Sequence, residues 1–125
     1  MRRVLIVDDE PAICHVLKKG LESTGEYDVS VCTDSREALQ AIKTQRPDII
    51  LLDVNMPGLS GPQLVRQLRD DETTQNIPCI YMTGNLGSGE ALGQDATTLS
   101  IAKPFKRPEL IALIDKVLRR ITQAE

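Results

Sequence analysis

Two adjacent carboxylates, Asp8 and Asp9, close the first apolar run of the chain, Asp53 closes the third, Thr83 the fourth, and Lys103-Pro104 the fifth. A carboxylate is a poor nucleophile towards a phosphoryl donor, because both carry negative charge and the transferring oxygens accumulate more. An oxygen-rich cluster overcomes the repulsion by holding a hard cation, Mg2+ or Mn2+ in its place, which takes few carboxylates and keeps several waters. Asp9 and Asp53 are candidate direct ligands, Asp8 acts directly or through water, and the backbone carbonyl of Asn55 completes the protein's share. Asp53 is the candidate phosphoryl acceptor, since it ends the buried central run between the other groups. Lys103 offers a fixed positive charge to the phosphoryl oxygens. Thr83 offers a hydroxyl donor to another of them. Lys103-Pro104 is a candidate cis peptide that would aim the lysine.

Each residue also has an ordinary structural use. Asp8-Asp9-Glu10 could cap a helix and complement its dipole. Asp53 could simply end a strand, Thr83 could be a turn residue before Gly84-Asn85, and Lys103 a solvated loop lysine. What favours a site is coincidence, because four run ends carry complementary chemistry.

Those ends must be delivered by regular elements. Val4 to Val7, Val29 to Cys32, Ile49 to Leu52, Ile77 to Met82 and, more weakly, Leu99 to Ala102 read as strands. The first and third are continuously apolar, as central parallel strands covered on both faces are. Helical stripes lie between them: Ile13, Val16, Leu17 and Leu21 after Pro11 and closed by Gly25; Ala38, Leu39 and Ile42 after Ser35 as N-cap; Leu64, Val65 and Leu68 after Ser60-Gly61-Pro62; and Leu110 to Ile121 from Pro108. The fourth helical place, 86–96, holds three glycines, each costing about 1 kcal/mol of helix propensity against alanine, so a short or frayed helix is expected there. The alternation predicts an α/β fold, a doubly wound five-stranded parallel sheet with helices on both faces. Ligands of such sheets bind outside the carboxyl ends of the strands, where all five candidate residues fall.

The 125 residues make one domain, taken as 1–125, with a single site and its surfaces. A formal net charge of -3, with 15 scattered Lys and Arg, gives no footprint for direct nucleic-acid binding. The apolar stretch after Met1-Arg2-Arg3 is too short for a signal peptide or a membrane span, so a cytoplasmic protein with no membrane contact is expected. Cys14, Cys32 and Cys79 lie in apolar runs without metal-ligand spacing and read as buried free thiols.

The runs Val4 to Pro11, Ile49 to Gly61, Met82-Thr83-Gly84 and Ala102-Lys103-Pro104-Phe105 resemble the receiver domain of bacterial response regulators, and the resemblance spans essentially the whole chain. It implies strand order 2-1-3-4-5 in a flavodoxin-like three-layer sandwich. It also implies that Asp53 accepts a phosphoryl group from a sensor histidine kinase, a phosphotransfer protein or a small donor such as acetyl phosphate. Asp8 and Asp9 match the acidic pair that holds Mg2+, Thr83 the switch hydroxyl and Lys103 the phosphate-contacting lysine. The chain would catalyse only its own phosphorylation and dephosphorylation, and switch binding to a downstream protein target or an attached effector domain.

The resemblance is incomplete on the output side. Ser100 stands where many receivers carry Tyr or Phe three residues before the lysine, and Tyr27, Tyr81 and Phe105 are the only aromatics. The expectation is that the glycine-rich 86–96 segment, rather than a ring, reads out the phosphate, and that Asn55 and Asn85 tune its lifetime. A phosphorylation-independent interaction module is the alternative. A nucleotide- or flavin-binding enzyme is disfavoured, for the chain has neither GxGxxG nor GxxxxGK[ST] and few stacking aromatics.

Overall fold

The structure is a computed structural model that describes residues 1–84 and 98–124. Its strands are β1 (Arg2–Val7), β2 (Tyr27–Cys32), β3 (Ile49–Asp53), β4 (Cys79–Thr83) and β5 (Thr98–Ala102). Its helices are α1 (Pro11–Glu22), α2 (Ser35–Gln45), α3 (Gly61–Arg69) and α4 (Arg107–Ala124). All strand pairs are parallel and the order is β2-β1-β3-β4-β5, as the resemblance implied.

Alternation along the central strands explains the three layers. Val4, Ile6, Ile49, Leu51, Ile80 and Met82 face a core built with Cys14 and Leu21 of α1 and Leu110, Ile114 and Val117 of α4. Their neighbours Leu5, Val7, Ile50, Leu52, Cys79 and Tyr81 face the opposite core, with Ala38 and Ile42 of α2 and Leu64, Val65 and Leu68 of α3. Continuous apolar runs are thus the mark of a strand buried twice over, and each fully buried aliphatic side chain contributes about 1.5–3 kcal/mol.

Three sequence expectations change. Val16, expected on the apolar stripe of α1, is exposed. Asp34, not Ser35, is the N-cap of α2: its carboxylate accepts from the Arg36 N–H, so the helix begins one residue earlier than expected. Ser35 is the first helical residue, and its hydroxyl donates instead to the Pro57 carbonyl at 3.0 Å. Cys32 is only half-buried, at the end of the edge strand β2, whereas Cys14 and Cys79 are buried; all three are free. The expectation for residues 86–96 lies outside the described residues.

Gly25, with φ +78°, turns the chain out of α1. Ser60 and Gln63 form a reciprocal capping box at the start of α3. Next to it, Gly61 is pressed against the end of β3: a Cβ there would lie 2.5 Å from the Asp53 carbonyl oxygen and 3.2 Å from the Val54 Cα. Both are backbone atoms with no rotamer to escape into. Gly61→Ala is therefore expected to cost about 1–3 kcal/mol, seen as a lower urea midpoint at unchanged m-value. An unaltered midpoint would mean that this junction is looser than its geometry implies.

Candidate functional site

Register alone gathers the candidate residues. Val7 pairs with Leu52, so the next step of the ladder sets Asp8 beside Asp53. Asp53 pairs with Met82, which leaves Thr83 one step beyond. Thr83 pairs with Ala102, and the Lys103 N–H donates to the Thr83 carbonyl at 2.7 Å, so the lysine leaves the sheet at the same edge. The Lys103-Pro104 peptide is cis, as the sequence suggested.

Lys103 Nζ lies 3.6 Å from Asp8 Oδ2 and 3.8 Å from Asp53 Oδ1. These are charge pairs rather than hydrogen bonds. Asp8 is 0 % exposed, Asp53 9 % and Thr83 4 %. Asp8, Asp9, Glu10 and Asp53 each bring a carboxylate oxygen within 4.8 Å of the others. Four carboxylates therefore share one nearby lysine, among the described residues.

Asp8 carries the strain of that arrangement. Its Oδ1 accepts from the Glu10 N–H at 3.0 Å, while its buried Oδ2 accepts no hydrogen bond. At 3.6 Å and an effective dielectric near 20, attraction to Lys103 is worth about 4–5 kcal/mol. Withdrawing a carboxylate from water costs several kcal/mol as well. Burial wins: it raises the Asp8 carboxyl above its ordinary value, and Asp53 and Asp9 push the same way against the Glu10 N–H and Lys103.

An orphaned buried oxygen among hard oxygen donors fits a small divalent cation, which would take up the oxygen that the protein leaves bare. Glu10 is the N-cap of α1 but its side chain makes no cap, so that part of the capping alternative does not hold. Glu10 instead joins the carboxylate cluster, a place the sequence reading did not give it; its only signal was adjacency to Asp8 and Asp9. Asn55 follows in an exposed turn, its N–H reaching Asp53 Oδ1 at a long 3.4 Å. Asn85 lies outside the described residues.

Among the described residues no cysteine belongs to the group that could hold a metal ion. Cys14 Sγ donates to the Asp8 carbonyl at 3.3 Å, and burial, reinforced by the Asp8 charge, pushes its thiol up to about 11. Such a thiol stays protonated and unreactive at neutral pH.

Comparison with known proteins agrees with this geometry. The response regulator receiver domain model matches residues 4–115. Response regulator MprA of Mycolicibacterium vanbaalenii is 39% identical over 96% of this chain and 52% of its own length. The phosphate regulon transcriptional regulatory protein PhoB of Pseudomonas aeruginosa is 39% identical over 95% of this chain and 52% of its own. The chain thus spans about half the length of the curated relatives it matches. Among solved structures, the receiver domain of a sensor histidine kinase from Pseudomonas aeruginosa PAO1, with a magnesium ion coordinated in its active-site cleft, superposes with a TM-score of 0.84 at 33% identity, covering 94% of this chain and 97% of that one. With the family model covering nearly the whole sheet and the strand-end carboxylates gathered around one lysine, the chain belongs to the response regulator receiver domain family.

Proposed function

We propose that the chain, as one receiver domain over residues 1–125, takes a phosphoryl group on Asp53 and so switches its binding to a protein partner. The observation that carries this reading is the convergence on one strand-end pocket of a buried Asp53, a lysine 3.8 Å from it, and an Asp8 oxygen with no hydrogen-bond partner. An Asp53 oxygen attacks phosphorus, the bond from phosphorus to the donor's nitrogen or oxygen breaks, and an acyl phosphate forms. Water later attacks the same phosphorus and restores the carboxylate and inorganic phosphate.

Asp8, Asp9, Asp53 and the Asn55 carbonyl would hold Mg2+, or Mn2+, with Glu10 at the rim. The bound cation would neutralise the negative charge that carboxylate and phosphoryl oxygens bring together. Lys103 offsets charge on the phosphoryl oxygens and Thr83 donates its hydroxyl to one of them. The domain acts on itself alone and has no separate substrate to turn over.

The donor would be a sensor histidine kinase or a phosphotransfer protein, the receptor a downstream protein or an attached effector domain. The relatives' extra length supports the attached domain, and the relatives include one described as a DNA-binding response regulator. Direct nucleic-acid contact is not assigned to this domain, given its net charge of -3. Among the described residues no helix is long and apolar enough to cross a membrane, and a cytoplasmic place suits a kinase partner. Position 100 carries Ser, in register with Tyr81 on β4, so it has no ring to swing inward.

Incubation with acetyl phosphate and Mg2+ followed by intact mass measurement is expected to show one labile phosphate adduct, absent from Asp53→Ala. A wild-type chain that stays unlabelled with every donor would favour the phosphorylation-independent module. The Asp8 shift yields a second expectation. A carboxyl whose folded pKa is raised binds more protons when folded, so metal-free stability falls as pH rises from the ordinary value of 3.8 through the higher folded value. Above that window the Asp8 charge is a cost, and Asp8→Asn should raise the metal-free melting temperature at pH 7 by about 3–5 °C while abolishing Mg2+ binding. A lower melting temperature would show that the Lys103 pair outweighs burial.

A further inference from the structure

The loop that follows Asp53 is thinly held. Among the described residues, 55–59 make just two hydrogen bonds: the 3.4 Å contact from the Asn55 N–H to Asp53 Oδ1, and the 3.0 Å bond by which Pro57's carbonyl accepts from Ser35 Oγ. Met56, 8 % exposed, sinks into the core of α2 and α3 and sets the loop's depth. It cannot set the direction of the peptide planes on either side.

Ser35 can. It is 3 % exposed, and its hydroxyl reaches the loop across 22 positions of sequence. The next residue adds a second grip. Arg36 is folded back on Asp34 through Nε at 3.2 Å and Nη2 at 3.3 Å, and its stem covers Gly58, where a Cβ would meet Arg36 Cδ at 3.2 Å. Gly58 has φ +86°, so the loop makes its tightest bend under that stem. The first turn of α2 therefore grasps Pro57 and Gly58, two and three residues beyond Asn55.

We propose that Ser35, backed by Arg36, is a positioning residue for the cation site: it holds the loop in the conformation in which the Asn55 carbonyl is presented beside Asp53. This rests on the reading that the pocket binds Mg2+. When a bond of this kind is lost, the loop spends part of its time in other conformations, and apparent affinity falls by the fraction of time the competent one is populated. The net worth of one part-buried hydrogen bond corresponds to a roughly three- to ten-fold loss.

A helix-stability role would look different. Ser35 is not the cap of α2, which is Asp34, and alanine at the first helical position is at least as good a helix former. Ser35→Ala should thus leave the helix intact and weaken Mg2+ binding.

The test is calorimetric titration of Mg2+ into the full chain as wild type, Ser35→Ala and Arg36→Ala, with melting temperature and amide hydrogen exchange of residues 55–59 measured without metal. Arg36 is exposed, so its variant folds even if the buried Ser35 substitution does not. The expected result is a dissociation constant raised about three- to ten-fold in Ser35→Ala and less in Arg36→Ala, faster exchange confined to 55–59, and a melting temperature lowered by no more than about 5 °C. Wild-type binding with unchanged constants in both variants would overturn the positioning role alone. Absence of saturable Mg2+ binding in the wild type would overturn the cation reading and this inference with it.

Discussion

A wholly buried carboxylate with an oxygen left bare is the constraint around which the rest of the structure is arranged. Asp8 sits just past the end of β1, next to Asp53, and among the described residues Lys103 alone pairs with the charge of the cluster. A protein selected for stability alone would not place it there, since hydrophobic residues of similar volume are often neutral or better in such positions. The cost is tolerable because the two apolar layers behind the strand ends are continuous, and because it falls at one edge of the sheet.

The opposite edge is built for permanence. Arg69, at the end of α3, donates from Nη1 to the Gln75 and Ile77 carbonyls and from Nη2 to the Thr98 hydroxyl, tying the start of β5 to the loop before β4. Lys43 and Asp71 meet at 2.7 Å between α2 and the turn after α3. At the carboxyl edge the ties include the Lys103 N–H on the Thr83 carbonyl, the packing of Gly61 on Asp53, and the Ser35 bond to Pro57.

Most of this was legible in the residues because strand periodicity and strand-end chemistry are local signals. Val4 to Val7 and Ile49 to Leu52 announce doubly buried strands; Asp53 and Thr83 are the last paired positions of their strands, and Asp8 and Lys103 fall one step past theirs. What escaped depends on choices between near-equals. Asp34 and Ser35 are both good N-caps, and only the pull of Pro57's carbonyl on the serine decides between them. Glu10 looked like a cap residue until the direction of α1 turned it towards the other carboxylates. Cys32 reads as core by its apolar neighbours, yet it ends an edge strand with one side open. The bond between Ser35 and Pro57 joins positions 22 apart and has no signature in either residue's neighbourhood.

Burial raises the Asp8 carboxyl, and a divalent cation taken up at its bare oxygen would relieve it. Carbon-13 NMR of the Asp8 side-chain carboxyl, followed through pH with and without Mg2+, tests it directly. The expected midpoint lies above the ordinary 3.8 in the metal-free chain and falls clearly when Mg2+ is added. A metal-free midpoint at or below the ordinary value, or one indifferent to Mg2+, would contradict it.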